Sequence, residues 1–164
     1  MKTHRYEAEI VWTGGRGIGT TTYTSYARDH EIAISGKPTV YGSSDPAFHG
    51  DPSRYNPEEL LVASLSACHM LWYLHLCSVN HVVVMAYIDV ATGVMRETEA
   101  GGGSFDEVTL HPIVTITSMS DENLARELHR EAHKRCFIAN SVRFPVRHEP
   151  TIEKINGESL THSQ

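Results

Sequence analysis

Polar and apolar residues alternate in several short runs along the chain. Alternation with a period of two predicts β-strands, here over residues 4–12, 30–36, 81–90 and 105–117. Residues 20–27 form a further β-prone run, and glycine, proline, serine and aspartate over 37–56 predict a loop that crosses the surface. GGGS at 101–104 predicts a turn, and a short strand and a polar tail are expected at the C-terminal end.

Two segments have the signals of α-helices. The run NPEE at 56–59 places a capping residue, a proline and two acids at a helix start, and the helix is expected to run to about Ser78. A second helix is expected from a cap at Ser120 or Asp121 to about Cys136. Because strands and helices interleave without regular βαβ alternation, the pattern predicts an α+β fold and not a doubly wound sheet.

The first helix lies in a segment without formal charge. No Asp, Glu, Lys or Arg occurs from Leu60 to Ile88, and about 20 apolar residues are enough to cross a bilayer. The segment also contains Ser64, Ser66 and His69, and no basic residue lies close beyond its C-terminal end. These features favour a helix buried on nearly all sides of a soluble protein over a membrane span.

Length and composition narrow the class of protein. The 164 residues predict one domain over 1–164, with 40% hydrophobic and 21% charged residues. A net charge of −6 argues against broad binding of nucleic acid, which needs a cationic surface. The start of the chain lacks a hydrophobic signal core, so we expect a cytoplasmic protein.

Three cysteines are too few for a disulfide framework, so free thiols are expected. From the residues alone, Cys68 is best interpreted as a small buried core thiol in the middle of the first helix. Cys77 follows nine positions later, which places it half a turn out of phase at about 100° per residue. The two thiols cannot meet on one helix, and helical phase favours Cys77 as the packing residue of the pair.

Cys136 stands at the end of the second helix, where the helix dipole disfavours an anion. The basic residues at 133–135 partly offset this effect, so Cys136 suits a second thiol that resolves an oxidised partner better than an attacking thiolate. A thiolate at Cys68 would need a cation from elsewhere in the fold. Arg16, in the glycine-rich run GGRGIG, is the best candidate, and Arg28 and Arg54 are the alternatives.

The chain has 11 histidines. His129, His133 and Cys136 fall at i, i+4 and i+7 on one helix face, a spacing that can bind zinc. Solvated or capping histidines give the same pattern, and the usual closely spaced Cys/His ligand pairs are missing. We therefore expect no metal, and keep a metal-binding protein as an alternative.

Two blocks of the sequence resemble the OsmC/Ohr family, the osmotically inducible protein C-like and organic hydroperoxide resistance proteins. NPEELLVASLSACH (56–69) is similar to the family's Asn-Pro-Glu start with a cysteine ten residues after the Glu. AHKRCFIANSV (132–142) is similar to the segment around its second cysteine. The resemblance covers roughly residues 5–153 and is to an OsmC-like subgroup outside the best characterised peroxidases.

The resemblance implies an OsmC-like α+β fold, with antiparallel sheets wrapped around two long central helices in an intertwined homodimer. It implies that Cys68 is the peroxidatic thiol and Cys136 the resolving thiol, with Glu58 as the motif's acid and Arg16 as the loop arginine. Glu58 and Cys68 are ten residues apart, about 15 Å along one helix, which favours Glu58 as the residue that orients Arg16.

The implied activity is that of a thiol-dependent peroxidase that reduces organic hydroperoxides, and hydrogen peroxide less well, without a cofactor. Its partners would be a second copy of the chain, the hydroperoxide and an external lipoyl-type dithiol, and neither nucleic acid nor a membrane. Two departures from the family pattern, Phe137 and Ala139, follow the second cysteine, and Phe137 enlarges the apolar wall there. A non-catalytic stress or ligand-binding protein of the same fold is the competing class.

Overall fold

The computed structural model describes residues 2–155. The chain divides into two compact units, Met1–Leu61 and Val62–Gln164. The expected single domain therefore stays a prediction, and the predicted polar tail lies outside the described residues.

The first unit contains a three-stranded antiparallel sheet and a short 3₁₀ helix. The strands follow one another in the order β1-β2-β3, and Ile32 of β2 pairs with Ile10 on one side and Val40 on the other. Their bounds are β1 Glu9–Trp12, β2 His30–Ala33 and β3 Val40–Gly42, and the 3₁₀ helix covers Pro46–Phe48.

Two predictions for this unit are wrong. Residues 20–27 form turns and not a strand, because the Ser25 hydroxyl bonds the carbonyls of Gly19 and Thr22 and accepts from the Thr22 N–H. Such local side-chain bonds compete with a strand ladder. The segment 37–56 is not loop throughout, since it contains β3.

Helix α1 covers Pro57–Val79, close to the predicted bounds. Its start is a reciprocal capping box: the Glu59 N–H donates to Asn56 Oδ1 at 2.8 Å, and the Asn56 N–H donates to Glu59 Oε2 at 3.0 Å. Helix α2 covers Glu122–Arg135, and its N-cap is Asp121, one of the two predicted caps.

The second unit contains two further three-stranded sheets, β4-β7-β9 and β5-β6-β8. Each combines one antiparallel and one parallel pair, since β8 pairs in parallel with β6 and β9 with β7. The expected antiparallel sheets are therefore confirmed only in part. The strand bounds are β4 Val84–Asp89, β5 Thr92–Glu97, β6 Gly103–Leu110, β7 Pro112–Ile116, β8 Val146–His148 and β9 Thr151–Lys154.

The strand predicted over 105–117 is divided at His111. The N–H of His111 donates to the Asp89 carboxylate at 2.7 Å instead of joining a ladder, and Pro112 follows it without an N–H. The turn covers residues 98–102 and so begins earlier than the predicted 101–104, because β6 already begins at Gly103.

The hydrophobic core of the second unit joins α1, α2 and the β4-β7-β9 sheet. One face of α1 enters it, and the buried residues of α1 are Leu65, His69, Tyr73, Leu76 and Cys77. The prediction of a helix buried on nearly all sides is wrong for the single chain, since Leu71 is 63% exposed. By length and composition α1 also meets the criteria for a membrane span, with a mean hydropathy of 1.5, but core helices of soluble proteins meet them too.

Candidate active site

Cys68 and Cys136 meet where α1 passes the C-terminal end of α2. Cys68 is half-buried in α1, and Cys136 is the C-terminal capping residue of α2 and is 1% exposed. The two thiols lie close enough for Cys68 to act on the titration of Cys136, and both are free. The structure thus brings together the two cysteines that lie in separate sequence blocks.

The Cys136 thiol is held in its protonated form. Burial raises its pKa to about 11, and the contact with Cys68 adds to the rise, while the Ala139 N–H, 3.5 Å from Sγ, acts in the opposite direction. The expected help from basic neighbours is not found, because Lys134 and Arg135 both pair with Glu131. Cys136 is therefore poorly suited to be the attacking thiolate, and Cys68 is the accessible member of the pair.

An aromatic pair stands beside the two thiols. Trp72 lies one helical turn after Cys68, and Phe137 directly follows Cys136. Their rings contact edge to face with centroids 5.7 Å apart, and Phe137 is 69% exposed. The approach to the thiols is therefore flanked by apolar surface.

Cys77 is a packing residue, as predicted from helical phase. It is buried in the core with Tyr73, and burial raises its pKa to about 11. A buried, protonated thiol of this kind is chemically inert.

The three candidate arginines lie in the first unit, away in sequence from the thiols. Arg16 and Arg28 line a cavity of about 350 Å³ together with Asp29, His49 and Asp51. Arg16 has a left-handed backbone, with φ of 47°, which is uncommon for a residue other than glycine. Within residues 2–61 its guanidinium makes no hydrogen bond or ion pair.

The other two arginines have structural partners. Arg28 donates to the carbonyls of Tyr23 and Tyr26 and lies over both rings. Arg54 pairs with Asp29 at 3.9 Å and with Asp51 at 3.6 Å. Arg16 is therefore the candidate whose charge remains available, and its pairing with Cys68 and with Glu58 in the first turn of α1 stays a prediction.

A cluster of four histidines lies next to the thiol pair, and it was not predicted from the sequence. His69 Nε2 and His129 Nδ1 are 3.0 Å apart, and the His148 ring lies 5.5 Å from that of His69 and 5.3 Å from that of His133. The cluster forms where α2 and β8, which are distant from α1 in sequence, pack against α1. In the sequence, only the high number of histidines and the apolar position of His129 on α2 could have indicated it.

Three of these imidazoles, those of His69, His129 and His148, have lowered pKa values. Burial lowers the pKa of His69 to about 4 and that of His129 to about 3, and the neighbouring imidazoles add to both shifts. Burial also lowers the pKa of His148. Within residues 2–155 no three His, Cys, Asp or Glu side chains are arranged to hold a metal ion, so the spacing of His129, His133 and Cys136 does not form a metal site.

The fold and the site together define a class: an α+β protein with one thiol at mid-helix and a second at the end of another helix. The family model for the OsmC-like protein matches residues 50–151, and the chain belongs to the OsmC-like family. No curated protein matches the chain.

Several solved structures are similar over nearly the whole chain. An OsmC-like protein of unknown function from Vibrio cholerae is 30% identical, with a TM-score of 0.81, 91% of this chain covered and 100% of that one. An organic hydroperoxide resistance protein from Elizabethkingia anophelis is 22% identical (TM-score 0.65; 94% and 100% covered). The organic hydroperoxide resistance protein OsmC from Legionella pneumophila is 18% identical (TM-score 0.68; 93% and 99% covered). The last two show likeness of fold alone.

Proposed function

We propose that the protein is a thiol-dependent peroxidase that reduces organic hydroperoxides. The observation that carries the proposal is the contact between the Cys68 and Cys136 thiols, one accessible and one buried. Membership of the OsmC-like family supports it, since some proteins of the same fold are named organic hydroperoxide resistance proteins.

In the first step the Cys68 thiolate attacks the distal oxygen of the hydroperoxide. The O–O bond breaks, the alkoxide takes up a proton and leaves as an alcohol, and Cys68 becomes a sulfenic acid. The guanidinium of Arg16, oriented by Glu58, would hold the thiolate and stabilise negative charge on the leaving oxygen.

In the second step the Cys136 thiol condenses with the sulfenic acid. The sulfur–sulfur bond forms, and the sulfenic oxygen leaves as water with the thiol proton. The high pKa of Cys136 suits this order, because the buried thiol stays unreactive until Cys68 is oxidised. An external dithiol of the lipoyl type would then reduce the disulfide by exchange, as expected in a reducing cytoplasm.

The apolar surface beside the thiols supports an organic substrate. Trp72 and Phe137 offer their rings to the hydrocarbon part of a hydroperoxide, and hydrogen peroxide has no such part to bury. Hydrogen peroxide is therefore the poorer substrate.

The working unit would be a homodimer. The face of α1 opposite its buried residues carries exposed Ala67, Leu71 and Ser78, small or apolar groups that suit a close protein contact. The family resemblance gives the occupant as a second copy of the chain.

The test is a titration of free thiols before and after one equivalent of cumene hydroperoxide. The wild type should lose two thiols per chain, Cys68→Ser should lose none, and Cys136→Ser should accumulate a sulfenic acid that dimedone traps. Cys77→Ala is the matched control and should behave as the wild type, because Cys77 lies in the core. Peroxide consumption by Cys68→Ser at the wild-type rate would refute the proposal.

A further inference from the structure

The hydrogen bond between His69 and His129 is a polar link between α1 and α2 inside the core. The two nitrogen atoms are 3.0 Å apart, and the residues are 1% and 0% exposed. His69 directly follows Cys68, and His129 lies seven residues before Cys136, which is about two turns along the same face of α2. The link therefore stands beside the contact between the two thiols.

Among residues 2–155 no carboxylate bonds either imidazole, since the second ring nitrogen of each has no partner. The titratable and charged groups that face the cluster are Tyr73 and Tyr87, Arg126 and Arg130, and His133 and His148. The nearby acids are engaged elsewhere: Glu122 pairs with Arg126, Glu127 with Arg130, and Glu149 with His111. Asp89, which lies near Tyr87, accepts from the Ser66 hydroxyl and the His111 N–H. Among the described residues, the charges that act on the two imidazoles come from Arg126 and from neighbouring histidines, and are therefore cationic.

Three ring nitrogens of the cluster have no partner among the described residues, namely His69 Nδ1, His129 Nε2 and His133 Nδ1. The link itself needs one imidazole to donate and the other to accept. A first proton would place an uncompensated charge in the core, and a second would set donor against donor across the 3.0 Å contact.

We propose that His69 and His129 are positioning residues whose neutral hydrogen bond holds Cys68 and Cys136 within reach, and whose protonation lets the helices separate and stops disulfide formation. The inference rests on the proposed function only in taking the two thiols as a redox pair. It adds a dependence on pH that the thiol chemistry alone does not give.

The direction of the effect follows from the depressed pKa values. Imidazoles released from the core regain their ordinary pKa of about 6.5, and so bind more protons than the packed pair between about pH 6.5 and pH 4. The packed arrangement is therefore fully favoured above about pH 6.5. Below this pH the equilibrium constant that favours the packed arrangement falls by up to about tenfold per pH unit for each histidine that takes up a proton.

The test uses the double variant His69→Gln, His129→Asn. The Gln amide stands where Nε2 of His69 is and the Asn amide where Nδ1 of His129 is, so a hydrogen bond is retained that cannot titrate in this range. The azo oxidant diamide forms the disulfide without hydroperoxide: the two thiols lose two electrons and two protons to the N=N bond, which becomes a hydrazine.

The measured quantity is the ratio of the disulfide formation rate in the double variant to that in the wild type. In both proteins the rate changes with pH through the fraction of thiolate, and this shared change cancels in the ratio. We expect a ratio near one at pH 7.5 that rises at least about threefold at pH 5.0. The control His81→Asn, at an exposed left-handed position outside the cluster, should stay at one throughout. A ratio for the double variant that does not change with pH overturns the inference.

If the double variant does not fold, His129→Asn alone should give a smaller rise of the same sign. In the wild type, hydrogen exchange of the α2 amides, corrected for the intrinsic rate, should lose protection at pH 5.0, and unchanged protection overturns the inference. Disulfide formation with diamide but no consumption of cumene hydroperoxide would refute the proposed function and leave the positioning role intact.

Discussion

The three cysteines have three environments, although two of them share a helix. Cys77 could be assigned to packing from helical phase alone, because phase is a property of the sequence. The burial of Cys136 could not be predicted, since it depends on α1 and on the segment after α2, and the expected help from Lys134 and Arg135 is lost to Glu131. Reactivity is thus decided by contacts between distant parts of the chain.

Arg16 is the cation on which the proposed chemistry depends. Arg16→Ala should lower the rate of hydroperoxide consumption by roughly 10²-fold, because the thiolate and the leaving oxygen both lose their cation. Arg16→Lys should recover part of the rate, since a lysine restores the charge but not the planar fork. The measurement is peroxide consumption under excess dithiol.

The control for Arg16 is Arg143→Ala, an exposed arginine of the second unit that should leave the rate unchanged. A wild-type rate in Arg16→Ala would contradict the assignment. A loss of rate in Arg28→Lys with no loss of thermal stability would instead point to Arg28.

At the scale of elements, the two helices were predicted closely because their signals are local. Both carry a side-chain cap that the sequence displays directly, in the 56–59 run and at Asp121. The strands were predicted less well, because alternation does not say which strands pair. The parallel partners of β8 and β9 are a tertiary outcome, whereas residues 20–27 fail as a strand because of local side-chain bonds.

The cap of α2 can be tested through stability. Asp121 accepts from the N–H groups of Asn123 at 2.8 Å and Leu124 at 3.1 Å, so Asp121→Ala leaves two donors without a protein partner. We expect the free energy of unfolding to fall by about 1 kcal/mol, measured by urea denaturation. Asp121→Asn keeps an acceptor and should cost only a few tenths of a kcal/mol; equal losses in the two variants would show that the cap contributes nothing.

At the scale of the whole molecule, the sequence predicted an enclosed α1, and one chain encloses only one face of it. The family blocks led to the thiol pair, because both blocks are continuous in sequence. The histidine cluster is assembled from α1, α2 and β8, so no continuous motif could reveal it. The other face of α1 is exposed in the single chain.

If a second copy of the chain covers that face, the protein has the mass of a dimer in solution. Light scattering on the purified protein should give about twice the 18.3 kDa of one chain. Leu71 lies about half a turn from the centre of the buried face, so Leu71→Glu should place a charge in the contact and shift the protein towards monomer. Met119→Glu, a matched change at a side chain 93% exposed and outside α1, should leave the dimer intact. A monomeric wild type, or a Leu71→Glu variant that dimerises as tightly as the wild type, would show that α1 does not form the contact.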